Sequence, residues 1–181
     1  MTEQDATSVR KRQDPLRERY KSVPEEATIT DRAKTTGGTD TDPFHGFVVP
    51  GSENFDVTWP FGIHHAVGGD HDAPNPGDIL CAALATCLDS TIRMIAERFG
   101  VRLTSLGVDV TAEVDVRGTL HVDRTVPVGF QSMQCDVHMQ VEEGTDPKVM
   151  KKVLAAAEQS CVVLQTLRSG IPVETNFSEA E

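Results

Sequence analysis

Positive charge is scarce in this chain. Seventeen Lys and Arg stand against 28 Asp and Glu, for a formal net charge of −11 over 181 residues. That balance argues against the phosphate backbone of nucleic acid and against anionic membrane surfaces as partners. Long apolar runs are also missing: the longest, residues 79–88, falls far short of the roughly 20 residues a spanning helix needs. The opening stretch MTEQDATSVRKRQDPLRERY carries no apolar segment. No leader is therefore expected, and the expected location is the cytoplasm. In that compartment thiols stay reduced, so the four cysteines need not form a disulfide framework. Their positions, Cys81, Cys87, Cys135 and Cys161, include no C-x-x-C, which argues against a zinc knuckle. No internal repeat is visible.

What remains is the composition of an ordinary globular domain. Residues 1–24 are charged and poor in large apolar side chains, and they read as a tail or a short surface helix with no core role. Residues 25–181 read as a single domain. Its first part suggests an antiparallel meander: ATIT, GFVVP and the alternation of Phe55, Val57 and Trp59 mark three strands, with the turn TTGGT between the first two. Trp59 reads as core.

A long helix follows. Asn75 fits an N-cap, Pro76 the first helical position, and Asp78 the reciprocal place three residues on. The helix is expected to reach Phe99, with Gly100 stopping it. Its first half, with Ile79, Leu80, Cys81, Leu84 and Leu88, is apolar on every side and is expected to be buried all round. A second copy of the chain could supply the cover, so a homodimer is expected.

Two alternating strands come next. Leu106, Val108, Val110, Ala112, Val114 and Val116 share one face, as do Met133, Cys135, Val137, Met139 and Val141. Asp146-Pro147 opens another helix whose apolar stripe passes Val149, Met150, Val153, Leu154 and Ala157. That stripe either continues to Cys161 or breaks near Ser160, which would put Cys161 at the start of a short helix ending at Gly170. IPVETNF reads as a closing strand. The fold class is α+β.

The segments NPGDILCAALATC and SCVVLQTLRSGIPV, with two alternating strands between them, resemble the OsmC/Ohr family of thiol peroxidases. The resemblance implies an OsmC-like fold, with antiparallel sheets around a long central helix. It also implies an intertwined homodimer with active sites at the subunit interface. By position it makes Cys87 the peroxidatic residue and Cys161 the resolving one, acting on organic hydroperoxides or hydrogen peroxide with a dithiol reductant. No cofactor is implied. An attacking thiol must be ionised near neutral pH, which calls for cationic or donor neighbours. At two positions the chain departs from the family. Thr39 follows the glycine pair Gly37-Gly38 where an arginine is usual, and Gly77 replaces a glutamate. Arg32, His71 and Asp78 are the candidates to activate the thiolate, and Arg17 or Arg19 could supply a cation from the tail. Cys81 and Cys135 read as structural.

The loop GIHHAVGGDHD, with His64, His65 and His71 beside Asp70 and Asp72, has the composition of a divalent-metal site. Adjacent histidines on a strand point to opposite faces, however, so no metal is expected. The alternative to a peroxidase is a catalytically weak domain of this fold that binds a small apolar ligand.

Overall fold

A computed structural model describes residues 8–36, 42–51 and 55–177. The turn containing Gly37, Gly38 and Thr39 lies outside the described residues. Helix α1 spans Val9–Ser22 and buries none of its residues. Strands β1 (Ala33–Thr36), β2 (Gly46–Pro50) and β3 (Trp59–Phe61) precede the central helix α2 (Pro76–Arg98). Strands β4 (Leu103–Glu113) and β5 (Ser132–Val141) follow, then helices α3 (Pro147–Ser160) and α4 (Val162–Ser169). The chain divides into two compact units. One comprises residues 1–83 and 109–137, the other residues 84–108 and 138–181.

The first unit holds the expected meander, in order β1-β2-β3 and antiparallel throughout. Ala33 faces Pro50, and Gly46 faces Phe61. Two of its strands are shorter than the sequence suggests. Of the ATIT stretch, Ala27 ends a short 3-10 turn and residues 28–30 are irregular, with Ile29 77% exposed, because pairing with β2 begins only at Ala33. Asp56 has φ +48°, a left-handed conformation that no strand can carry, so the third strand begins at Trp59 rather than Phe55. Trp59 is half exposed rather than core, since β3 pairs on one side only.

Helix α2 begins and ends as its sequence directs. The Asn75 side chain accepts the amides of Gly77 (2.7 Å) and Asp78 (3.2 Å), while the Asp78 carboxylate accepts the amide of Asn75 at 2.9 Å. At the far end Gly100, at φ +70°, donates to Glu97 and Val101 donates to Ala96, which closes a Schellman turn. The helix has the length and composition of a membrane span, yet Leu84, Leu88, Ile92 and Ala96 lie packed inside the molecule. Its first half is not buried all round. Ala82 and Ala83 are exposed, and Ile79, Leu80 and Cys81 are half-buried, because in one chain only one side is covered.

The second unit contains the core. Leu84, Leu88, Ile92 and Ala96 recur every four residues along α2, and Val153, Ala157 and Cys161 do so from α3. Val101 joins them, with Ile95, Leu103, Val141, Val149 and Met150 packed around Ala96, Val101 and Val153. Leu154, one step off that stripe, is exposed.

Strands β4 and β5 form a two-stranded sheet, antiparallel because residue 131 bonds to 113 at one end and 142 to 102 at the other. β5 alternates half-buried and exposed residues without a slip. β4 ends at Glu113, short of Val116. Asp115 takes over there, its carboxylate accepting the Arg117 amide and its own amide donating to Gln131, so the chain turns. The expected closing strand, residues 171–177, is irregular. Val173 and Phe177 are exposed, and among the described residues no strand of this chain pairs with it.

Candidate active site

The break near Ser160 is real. Cys161 is at once the C-cap of α3 and the N-cap of α4, with extended backbone at φ −75°, ψ 106°. Its amide still donates to Ala157 (3.0 Å), and its carbonyl accepts the Gln165 amide (3.0 Å). Two side-chain links brace the junction: Gln165 Nε2 donates to the Glu158 carbonyl at 2.8 Å, and Arg168 pairs with Glu158 at 2.7 Å. The kink swings the stripe that began at Val153 so that the Cys161 side chain ends fully buried.

Cys87 lies in the middle of α2 and is half-buried. The hydroxyls of Thr91 (2.7 Å) and Ser90 (3.1 Å) both donate to its carbonyl, so neither is spent on its sulfur. Both cysteines are free, and Cys87 is a close enough neighbour to act on the Cys161 thiol. Burial pushes the Cys161 thiol above its ordinary range. The Leu164 and Val163 amides oppose this without closing a capping bond, and the Cys87 sulfur adds to it. A buried thiol held protonated beside a more accessible one suits a resolving role better than an attacking one.

Sequence reasoning missed Thr91, Gln165, Glu158 and Arg168. Thr91 sits one helical turn beyond Cys87, which is the spacing that could have singled it out. The other three become legible only once the helix break is known.

The remaining predicted residues belong to the first unit. Arg32 is exposed in irregular chain just before β1, where its carbonyl accepts the Gly51 amide (2.7 Å). Arg19 is already engaged in an exposed ion pair with Glu26. His71 Nε2 lies 3.6 Å from Asp78 Oδ2, which is committed to the cap of α2.

The histidine loop is not a strand. His64 precedes a short 3-10 turn, His65–Val67, and accepts the Ala66 amide on Nδ1 at 3.0 Å. The three rings therefore cluster instead of alternating: His71 is 4.4 Å from His64 and 5.7 Å from His65, centre to centre. Among the described residues no group of three or more His, Cys, Asp or Glu is arranged to hold a metal ion.

These side chains rim a cavity of about 1010 Å³ in the same unit. Its polar edge is His64, His71, Asn75 and Asp78, and its wall includes Val110, Val128 and Phe130. Cys81 also faces it, with its thiol pushed up by burial and then by the Asp78 charge. The Phe130 ring lies over Gly77, where an added Cβ would sit 3.0 Å from the ring. A side chain at position 77 would therefore run into that aromatic face.

Comparisons with known proteins follow the same lines. A family model described as "OsmC-like protein" matches residues 69–176, more than half of the chain. No curated protein matches. Among solved structures, an OsmC-like protein from Mycoplasma pneumoniae superposes with a TM-score of 0.61 at 11% identity, covering 78% of this chain and 89% of that one. An OsmC-like protein of unknown function from Vibrio cholerae gives 0.61 at 12%, covering 77% and 94%. An organic hydroperoxide resistance protein from Legionella pneumophila gives 0.57 at 20%, covering 78% and 90%. At such identities the likeness is one of fold.

Proposed function

Because this chain belongs to the OsmC-like family, we propose that it is a dimeric, cysteine-based peroxidase whose working pair is Cys87 and Cys161. The observation that supports the reading is that two free thiols of unequal burial, from separate helices, are near neighbours, the Cys87 thiol helping to hold Cys161 protonated. The Cys87 thiolate attacks one peroxide oxygen, the O–O bond breaks, and the other oxygen leaves with a proton as alcohol or water. The sulfur, oxidised by two electrons, carries the hydroxyl as a sulfenic acid. The Cys161 sulfur then attacks it, the S–S bond forms, and water departs with the Cys161 proton. An external dithiol returns both sulfurs to thiols by exchange. Organic hydroperoxides and hydrogen peroxide are the substrate class, and the cytoplasm is the setting that keeps the pair reduced.

Arg32 and His71 are the candidates to support the thiolate. Asp78, spent on the helix cap, would act only through His71. The second reading is a catalytically weak domain binding a small apolar ligand. The cavity beside Phe130 and the glycine at position 77 favour it. One measurement separates the two: a thiol count before and after one equivalent of cumene hydroperoxide. The peroxidase loses two thiols per chain and regains them with dithiothreitol, whereas the binding domain keeps all four.

A further inference from the structure

A charged cluster in the first unit involves neither cysteine of the pair. His45 stands in the turn that leads into β2. Its Nδ1 is 2.6 Å from Asp42 Oδ2, and its Nε2 is 2.9 Å from Asp72 Oδ1. Carboxylates only accept, so both contacts are hydrogen bonds only when the ring carries both protons. A neutral imidazole would turn a lone pair toward one of the two oxygens. Asp42 is anchored to its own turn by the Phe44 amide at 2.8 Å. Asp72 comes from the histidine loop, 27 residues further along. Next to it His71 is held at φ +51°, a left-handed conformation costly for a residue with a Cβ, while its amide donates to Ile63 at 2.9 Å. His71 is also the residue that meets the ring of His64 and forms part of the cavity rim.

We propose that His45 is a pH-operated clamp and a positioning residue for the cavity. As an imidazolium it ties the β2 turn to the histidine loop and holds His71 at the polar rim, and on losing its proton it releases Asp72 and frees that rim. The charged groups facing the ring are Asp42 on its own turn and Asp72 on the loop packed against it. The Asp42 hydrogen bond, then that of Asp72, raises the His45 pKa. The Asp42 carboxyl is lowered, first by the Phe44 amide and then by His45, and the Asp72 carboxyl is lowered chiefly by His45. The signs define a window. The histidine contribution is complete below the ordinary imidazole pKa and is lost as pH rises through the raised value. The carboxylate contribution is complete above the ordinary carboxyl range and is lost as pH falls through the lowered values. Both pairs are solvent-accessible, so salt weakens the clamp.

The test is an NMR titration of the full ¹⁵N-labelled chain between about pH 5 and about pH 9, bracketing the imidazole range. The His45 ring is expected to titrate above the ordinary imidazole range, and the amides of Asp72, His71 and Asn75 to shift with the same midpoint. Raising the salt should move that midpoint down. In His45→Gln the shared transition disappears. In His45→Arg, permanently charged and able to donate twice, the loop amides stay at their low-pH positions throughout. A His45 ring that titrates in the ordinary range overturns the clamp. So do loop amides that ignore its midpoint, or a shared transition that survives in His45→Gln.

Discussion

The two cysteines of the proposed pair differ in a way that single substitutions should expose. Cys87→Ser is expected to abolish peroxide turnover, because a serine hydroxyl cannot supply the attacking thiolate. Cys161→Ser should leave one turnover and stop recycling through a disulfide, since the sulfenate would lack a partner. Stopped-flow peroxide consumption at one and at many equivalents separates the two outcomes. Iodoacetamide at about pH 6.5, well below the ordinary thiol pKa, should modify Cys87 before Cys81 and Cys135, as read by mass spectrometry of peptides. Cys161 should alkylate last, its labelling rising only above the ordinary thiol range, because burial raises its pKa and also blocks the reagent. That raised pKa has a consequence for stability. The contribution is present below the ordinary thiol pKa and drains away as pH climbs through the raised value. The identities of both cysteines were legible from residue spacing and the family resemblance. The resemblance also implied that the two sulfurs approach each other, whereas residues 147–161 alone left open whether the helix breaks before Cys161.

Elements obeyed local rules wherever those rules were self-contained. The cap of α2 is written within Asn75, Pro76, Gly77 and Asp78, and its stop within residues 96–101. Asn75→Ala should therefore cost about 1 kcal/mol, read as a lowered urea midpoint with an unchanged slope. The effect should also reach the cavity rim, because Asn75 Nδ2 bonds Asp78 Oδ2 at 2.7 Å. Strands fared less well because a strand needs a neighbour. Residues 27–30 and 171–177 alternate on paper and form no strand, since among the described residues no edge pairs with them. The histidine segment is a loop, as its glycines Gly68 and Gly69 suggest, but the placement of its rings was not readable. Its 3-10 turn is fixed by the His64 ring accepting the Ala66 amide and by Gly68 at φ +93°, and neither is visible as periodicity.

For the whole molecule, the uneven burial of the two units is the fact that asks for a partner. All the buried large apolar side chains among the described residues belong to residues 84–108 and 138–181. The other unit leaves Phe47, Phe55 and Trp59 exposed, along with Ala82 and Ala83 on the helix face expected to be covered. A homodimer that buries such surfaces should hide more than about 2,000 Å² in total. Sedimentation velocity at micromolar concentration should show a single species of twice the chain mass, and a stable monomer would contradict the dimer. The sequence by itself determined the α+β class, the capped central helix, the alternating pair β4 and β5, and the family, because each rests on periodicity, capping chemistry or motif spacing within a short window. Only the tertiary structure decided between a continuous helix and a break at Cys161, gathered three imidazoles with His71 beside Asp78, and made His45 bridge two carboxylates 30 residues apart in sequence. These are long-range encounters. Their energies depend on burial and on which donors are left unsatisfied once the chain has closed, quantities that no local pattern carries.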